Sequence, residues 1–262
     1  MWNKGPRFAF QRIALSLFAI LCLVPAVLLF LNSFVLFDQV SLAQYEDILL
    51  YQKEFYLWFW NSVGYTAAIL VIHLPISILA AYGFTQYEFR GKKLLMGLYI
   101  LFMLMPFQAT VVSQYITLDA MNLLDTRLAI ILPNAYNTFG AFLLTQFMRG
   151  IPPEVIEAAR VESANGRQIF FRIVLPLCHP AIISLAVLQL FTCWSLIDQP
   201  LLFLRGSELH NLALELTSTQ FGTSASAAGV VYAILPLLVY LYCKGYLQQG
   251  ISLVDAPAGG VE

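Results

Sequence analysis

Long apolar segments alternate with short polar ones along the chain. Five segments contain no Asp, Glu, Lys or Arg and are at least about 20 residues long, which is the length that an α-helix needs to cross ~30 Å of hydrocarbon. They are Ile13–Phe37, Phe55–Tyr87, Leu94–Leu118, Leu128–Met148 and Leu216–Cys243. A sixth segment, Ile173–Leu204, is interrupted only by His179 and Asp198. The pattern predicts an all-α integral membrane protein with six transmembrane helices.

The distribution of basic residues predicts the orientation of these helices. An even number of helices places both termini on the same side of the membrane. If that side is the cytoplasm, 11 of the 14 Lys and Arg residues lie inside, and only Lys53, Arg127 and Arg205 lie outside. Because basic residues concentrate in cytoplasmic connections, we expect both termini in the cytoplasm. The first segment is about twice as long as the apolar core of a signal peptide, so we interpret it as an uncleaved helix.

The composition agrees with a membrane protein and argues against other classes. The chain is 60% hydrophobic and 11% charged, whereas a soluble domain carries about 25% charged residues. A net charge of −1 gives no electrostatic reason to expect nucleic acid as a partner. The four cysteines show no metal-binding or redox spacing. We interpret them as small apolar packing residues.

One polar connection, residues 149–172, is rich in charge. Its charged residues are Arg149, Glu154, Glu157, Arg160, Glu162, Arg167 and Arg172. Pro152 and Pro153 suit a helix start, where a missing backbone N–H costs nothing, and acidic residues there favour the helix dipole. Asn165-Gly166 is a helix-stop signal. The pattern predicts a cytoplasmic helix of about three turns between the fourth and fifth transmembrane helices.

The predicted cytoplasmic helix has two different faces. One face is small and apolar and consists of Val155, Ala159 and Ser163, with Ala158 alongside. The other is charged and consists of Glu154, Glu157 and Arg160. A second amphipathic stretch, Arg167–Leu175, ends at Pro176. The predicted cytoplasmic helix is either a solvated connector or packed on a protein surface. Packing is favoured because so short a helix is only marginally stable in water by itself.

The stretch "EAARVESANGRQIFFRIVLP" resembles the cytoplasmic EAA loop of the permease subunits of bacterial ABC importers. The family pattern is EAA, a Gly-containing turn, then an apolar residue, Leu and Pro. The residues that match at the family's spacing are Glu157, Ala158, Ala159, Ile173, Leu175 and Pro176. Two positions depart from the pattern. Glu162 replaces the usual Asp, and Ser163 replaces the usual Gly, with Gly166 three residues later.

The resemblance extends over roughly residues 40–250. "YLWFWNSVGYTA", "MLMPFQATVVSQYI", "LLDTRLAIILPNAYNTFGAFLLTQFMRGIP" and "AILPLLVYLYCKGYLQQGI" are similar to the maltose-type carbohydrate permeases. The chain accordingly divides into an N-terminal transmembrane helix (1–39), a permease core (40–250) that includes the loop 149–172, and a short cytoplasmic tail (251–262). The resemblance implies a multi-pass protein of the bacterial cytoplasmic membrane.

The resemblance also implies a mechanism and a set of partners. The EAA helix would be a coupling helix that docks on a cytoplasmic ATPase subunit, and this implies coupling roles for Glu157, Ala158, Ala159, Arg160, Glu162, Ser163, Gly166, Ile173, Leu175 and Pro176. The other partners would be a second permease subunit, a second ATPase subunit, an extracytoplasmic solute-binding protein and membrane lipid. No lysine precedes Ser or Thr, so the sequence has no Walker A loop. We therefore expect no enzyme activity and no cofactor in this chain, with ATP and Mg bound by the partner ATPase.

Polar residues inside apolar segments are the candidates for a translocation pathway, because they are costly in hydrocarbon. Asp198 is the only acidic residue within an apolar segment, and we assign it to the pathway with Trp194, Ser195 and Gln199. Alternatively, Asp198 caps a helix near the outer surface. Weaker candidates, which could equally form interhelical hydrogen bonds, are Gln108, Gln114 and Asn137.

His73 precedes Pro75 by two residues, and we expect it to bond a backbone carbonyl freed at a helix kink. Three function classes stay open. The first is an ABC importer permease for a sugar or oligosaccharide. The second is a permease of the same superfamily for a peptide, polyamine or phosphate ester. The third is an ion-coupled carrier or membrane enzyme, which would need several paired intramembrane carboxylates or a metal cluster.

Overall fold

A computed structural model describes residues 6–36, 39–218 and 220–254, with side chains described for 12–36, 39–218 and 220–248. The predicted tail 251–262 lies outside the described residues from position 255 onward. The described chain is almost entirely helical. Its only described strands, β1 (Val35–Leu36) and β2 (Gln39–Val40), form a two-residue antiparallel hairpin with Val35 opposite Val40.

The described residues contain fourteen α-helices. In chain order they are α1 (Pro6–Asn32), α2 (Ala43–Glu46), α3 (Lys53–Gln86), α4 (Lys92–Met103), α5 (Phe107–Ala120), α6 (Arg127–Ala135), α7 (Thr138–Arg149), α8 (Pro153–Val161), α9 (Gly166–Ile169), α10 (Leu175–Leu177), α11 (His179–Trp194), α12 (Asp198–Phe203), α13 (Leu212–Glu215) and α14 (Ala225–Val254). Asp47–Tyr51 and Phe170–Val174 are π-helical turns, and Ser207–Leu209 and Gly222–Ser224 are 3₁₀ turns.

Four helical stretches are long and apolar enough to cross a membrane: Arg12–Asn32, Lys53–Gln86, Arg127–Arg149 and Gly222–Gln248. Two further stretches qualify only as bent pairs. One consists of α4 and α5, which meet at 100°, and the other joins Gly166–Leu177 to α11 at 66°. Within the part of the chain that the structure describes, the count is therefore four, or six if each bent pair is one span.

The predicted segments differ from these helices at their breaks and ends. The segment predicted as Leu94–Leu118 breaks before α5, where Pro106 is extended (φ −67°, ψ 147°) and cannot continue a hydrogen-bonded helix. The segment predicted as Ile173–Leu204 bends at Cys178, and its regular helix ends at Trp194. The last segment, predicted from Leu216, becomes a long helix only at Ala225. The first ends at Asn32 rather than at residue 37.

Helix α3 lies at the centre of the packing, in contact with α6, α7 and α11, while α11 also packs on α14. The described part of α1 exposes nearly all of its apolar side chains and contacts mainly α14. A lipid environment accounts for such a helix. One buried apolar cluster connects α3, α7 and α11 with the α8–α9 region, through Leu144, Ile156, Ala159, Ile169 and Leu185. The charged loop is thus anchored to the membrane helices.

Candidate functional site

Helix α8 begins as predicted but ends earlier. It runs from Pro153 to Val161, and Glu162 is its C-cap. Ser163 then adopts a left-handed conformation with φ of 64°. Ser163 N donates to the Arg160 carbonyl and Ala164 N donates to the Ala159 carbonyl, both at 3.0 Å. These two bonds are those of a Schellman C-cap. Ser163 therefore occupies the position in the turn that glycine favours.

The predicted helix stop at Asn165-Gly166 was wrong. Asn165 instead begins α9: its side chain accepts from Gln168 N at 2.9 Å, and the Gln168 side chain accepts from Asn165 N at 2.8 Å. This reciprocal pair is a capping box, which satisfies backbone donors at a helix start. Asn and Gly occur at both the first and the last positions of helices. Here the hydrogen bonds with Gln168 stabilise Asn165 as the N-cap of α9.

The faces of α8 also differ from the prediction. Ile156 and Ala159 point into the buried cluster, whereas Val155 and Ala158 are exposed. Ala159 therefore does not share a face with Val155, and Ser163 lies beyond the helix. The outward surface of α8 mixes apolar and charged side chains, with Glu154 and Val161 opposite the buried Ile156 and Ala159. It is formed by Val155, Ala158 and Val161 with Glu157, Arg160 and Glu162. Val161 is 86% exposed, which is high for a valine.

The segment after α8 connects this surface to the transmembrane helices. Gly166 to Leu177 forms one helical stretch through the π turn, with Ile173 and Leu175 half-buried and Pro176 exposed. Tyr82 of α3 donates its hydroxyl to the Gly166 carbonyl at 3.3 Å. The ring of Tyr82 also packs edge-on against Phe170, with centroids 4.8 Å apart. A displacement of α9 would therefore act on α3 as well as on α11.

A polar cavity of about 640 Å³ lies where three helical stretches are interrupted. The interruptions separate α4 from α5, α6 from α7, and α11 from α12. Five predicted pathway residues line this cavity: Gln114, Asn137, Ser195, Asp198 and Gln199. Gln108 instead lines an adjoining cavity of about 250 Å³, which also contains Asp198. The structure thus brings six of the seven candidates to one region.

Trp194 is the candidate that lies elsewhere. It is 2% exposed and packs between α11 and α14. Its indole N–H donates to the Tyr232 carbonyl at 3.2 Å, and the Tyr232 hydroxyl donates to the Trp194 carbonyl at 3.0 Å. The two rings stack with centroids 5.5 Å apart. This packing buries the large ring, and the hydrogen bond satisfies its N–H. Trp194 therefore joins α11 to α14 and does not face the cavity.

The break between α6 and α7 positions several polar groups of the cavity. The Asn137 side chain caps α7 by accepting from Phe139 N at 2.8 Å. This leaves the Ala135 carbonyl without its usual helical donor, and His73 Nδ1 bonds it at 3.1 Å. His73 thus bonds a freed carbonyl, but the prediction that this carbonyl lies at the kink beside Pro75 was wrong, because it belongs to the break between α6 and α7.

Sequence reasoning missed Asn134. Its side chain donates to the Ile130 carbonyl at 2.8 Å and to the Gln199 side-chain oxygen. This amide pair joins α6 to α12 on the wall of the cavity. Asn134 stands three residues before Asn137 in a segment without Asp, Glu, Lys or Arg, and that spacing was the available signal. The other hydroxyl-bearing residues of the lining, besides Ser195, are Thr110, Tyr136, Thr138 and Thr192.

Asp198 is the first residue of α12, where a carboxylate is favoured by the helix dipole, but its side chain forms no capping hydrogen bond. The alternative that it caps a helix is therefore not borne out, and its exposed side chain lines the cavity. Among the described residues, no three His, Cys, Asp or Glu side chains are arranged to hold a metal ion. The chemistry available at the cavity is therefore hydrogen bonding, aromatic contact and one negative charge.

At the other end of the helices from α8, the connection between α12 and α13 is held tightly to α3. Trp58 donates to the Ser207 carbonyl at 2.9 Å, and Tyr65 donates to the Leu209 carbonyl at 2.7 Å. Asp125 accepts from the backbone N–H groups of Arg205 and Gly206 at 2.9 and 3.1 Å. These two bonds hold the pKa of the Asp125 carboxyl below its usual range. This connection is ordered by many donors that the sequence did not indicate.

The chain matches known proteins over most of its length. The family model of the binding-protein-dependent transport system inner membrane component matches residues 73–252. The arabinooligosaccharides transport system permease protein AraQ of Bacillus subtilis is 27% identical over 285 aligned residues, covering 100% of both chains. The polygalacturonan/rhamnogalacturonan transport system permease protein YtcP of Bacillus subtilis is 26% identical over 270, covering 91% of this chain and 94% of that one.

A solved structure shares the fold. It is a chain of a bacterial ABC transporter involved in the import of the acidic polysaccharide alginate, with a TM-score of 0.81 and 22% identity. The match covers 94% of this chain and 99% of that chain. The overall fold of this chain is therefore shared with that chain.

Proposed function

Because the chain belongs to the family of inner membrane components of binding-protein-dependent transport systems, we propose that it forms half of the translocation pathway of an ATP-driven importer for a sugar or oligosaccharide. The chain is a multi-pass permease subunit of the bacterial cytoplasmic membrane and is not itself an enzyme. In this proposal each bent helix pair is one span, which gives six spans with both termini in the cytoplasm.

The observation that carries the proposal is the polar cavity at the helix interruptions. Transporters place substrate sites where helices are broken, because free backbone groups and polar side chains can be satisfied there. Amides of Gln114, Asn137 and Gln199 offer both donors and acceptors to sugar hydroxyl groups. Tyr136 is 63% exposed on the lining and offers a ring face for an apolar sugar face.

The charge of the cavity favours a neutral saccharide. Among the described residues that line it, Asp198 is the only charged side chain. A uronate entering this half of the pathway would meet a like charge with no basic residue to offset it, and like charges repel strongly where water is scarce. The name of AraQ refers to arabino-oligosaccharides, whereas YtcP is named for polygalacturonan. The cavity supports a substrate of the former kind.

The outward surface of α8 is the docking surface for a cytoplasmic ATPase subunit in this proposal. Val155, Ala158 and Val161 supply small apolar contact area, and exposed apolar area of this kind marks an interaction site. The surrounding charges, Glu157, Arg160 and Glu162, would pair with the partner. Nucleotide-driven movement of α8 would reach α3 through Tyr82 and α11 through the helical stretch from Gly166.

The complete importer would contain a second permease subunit, two ATPase subunits and an extracytoplasmic solute-binding protein. ATP and Mg would be bound by the ATPase subunits, with no cofactor held by this chain. The tightly held connection around Ser207–Leu209 lies on the side where the binding protein would approach.

The test is reconstitution of the chain with these partners in proteoliposomes. ATP-dependent uptake of a neutral oligosaccharide delivered by the binding protein is the expected result. Uptake of a peptide or polyamine in its place would contradict the assignment of a saccharide as the substrate. Uptake by this chain alone under a proton gradient would overturn the proposal, since the importer requires ATP hydrolysis by partner subunits.

A further inference from the structure

A second cavity, separate from the polar one, lies at one end of the helices. Its volume is about 630 Å³, and its lining includes Lys92, Lys93 and Arg149. Three helices terminate here: α3 ends at Gln86, α4 begins at Lys92 and α7 ends at Arg149. Because α3 and α7 belong to stretches long enough to cross the membrane, this cavity lies at the ends of candidate spans, where lipid headgroups are found.

The cavity carries a positive charge that the described residues do not neutralise. Lys92 forms a 2.7 Å ion pair with Glu88 and donates to the Tyr87 carbonyl at 3.1 Å. Lys93 and Arg149 form no ion pair with any residue that the structure describes. Three cations and one carboxylate leave a net charge of +2 in the lining. Such a site attracts an anion of one or two charges.

The walls leave room for a group of headgroup size. A Cβ added at Gly97 would meet no atom within 4 Å, so the space beside α4 is open. Below the cavity, α4 exposes Leu94, Leu98 and Leu101, which are 69%, 37% and 54% exposed. They follow i, i+4, i+7 spacing on the same side as Gly97. Leu94 and Leu101 lie three and four residues from Gly97, so the stripe borders the cavity, whose own apolar lining is Phe89, Met96 and Ile100.

We propose that this cavity binds the phosphodiester headgroup of an anionic phospholipid, with the acyl chains along the Leu94–Leu98–Leu101 stripe. Basic pockets between transmembrane helices recognise anionic headgroups in this way, and each basic residue near the surface adds to the attraction. The apolar stripe favours a lipid over free phosphate, because free phosphate has no acyl chain to contact the leucines. The proposal does not depend on the transported solute or on coupling to an ATPase.

The test is native mass spectrometry of the purified, delipidated full-length chain titrated with phosphatidylglycerol. Phosphatidylcholine and inorganic phosphate are the comparison ligands. The double variant Lys93→Gln/Arg149→Gln removes two charges and keeps the Lys92–Glu88 pair. The matched control is Lys53→Gln/Arg205→Gln, which removes two charges elsewhere. Gly97→Leu fills the cavity without changing charge.

We expect the Lys93/Arg149 double variant to weaken phosphatidylglycerol binding on the order of tenfold. Gly97→Leu should also weaken it, and the control should not. Phosphatidylcholine should bind less than phosphatidylglycerol, and millimolar phosphate should not displace the lipid. Equal loss in the control, or equal binding of both lipids, would overturn the proposal. Displacement by phosphate would make the cavity a free-anion site, and unchanged lipid binding by the Lys93/Arg149 double variant would also overturn the proposal.

Discussion

Replacing Ser163 with glycine should stabilise the turn that ends α8. Ser163 has φ of 64°, where the Cβ of an L-residue crowds the backbone. The left-handed conformation costs a non-glycine residue roughly 1–2 kcal/mol. Its side chain is exposed, so its removal leaves no cavity. Glycine also increases the entropy of the unfolded chain, which reduces this gain in folding stability by about 0.5–1 kcal/mol. The net stabilisation expected is about 0.5–1 kcal/mol.

Amide hydrogen exchange measured by mass spectrometry can detect this change. The amide of Ala164 bonds the Ala159 carbonyl at 3.0 Å and exchanges only when the turn opens. Ser163→Gly should slow that exchange by roughly two- to fivefold, the factor that corresponds to 0.5–1 kcal/mol. Ser163→Ala keeps a Cβ in the same strained conformation, so it should leave the exchange rate nearly unchanged.

The matched control is Ser113→Gly, made at an exposed position inside α5. Glycine in a regular helix costs about 0.5–1 kcal/mol, so exchange near Ser113 should become faster. If Ser163→Ala protects the turn as much as Ser163→Gly, or if Ser163→Gly accelerates exchange at Ala164, then the backbone explanation of this position is refuted.

Three further predictions follow from burial, cavity charge and close packing. Ala158→Asp, on the exposed face of α8, should leave the fold intact and reduce the uptake per ATP hydrolysed in proteoliposomes. Ala159→Asp instead buries a carboxylate, which costs about 1–3 kcal/mol or more, and should lower the melting temperature. Equal melting temperatures of the two variants would contradict the assigned faces. Asp198→Asn should raise uptake of uronate relative to neutral oligosaccharide about tenfold in competition assays, and an unchanged ratio would remove Asp198 from the pathway. Gly140→Ala should destabilise the chain by about 1–3 kcal/mol in thermal unfolding, because the added methyl group collides with the side chains of α3 packed there, while Gly97→Ala meets open space and should not.

The apolar pattern predicted where helices lie better than where they break. The segment that became α3 was correct to within two residues at each end, because length and apolar composition determine a span, whereas α1 begins seven residues and ends five residues before its predicted bounds. The 100° bend between α4 and α5 depends on packing against other helices, which composition does not report. Pro106 marked the location of this break but could not indicate its angle.

The candidate pathway was predictable as a set of residues but not as a geometry. Polar residues in apolar segments are few, so Gln114, Asn137, Ser195 and Gln199 could be selected from the sequence alone. Which side of its helix Trp194 occupies depends on the contact with α14, and apolar helices that are packed on several sides show little periodicity. The orientation of α8 was missed for a related reason, since both of its faces contain small residues.

The measurement that tests the central claim most directly is the ratio of oligosaccharide taken up to ATP hydrolysed by the reconstituted complex. The proposed function predicts that uptake depends on ATP, and that Val161→Asp, on the exposed surface of α8, lowers this ratio while membrane insertion and thermal stability stay as in the unchanged chain. A complex in which Val161→Asp imports the oligosaccharide with an unchanged ratio would contradict the assignment of α8 as the helix that couples ATP hydrolysis to transport.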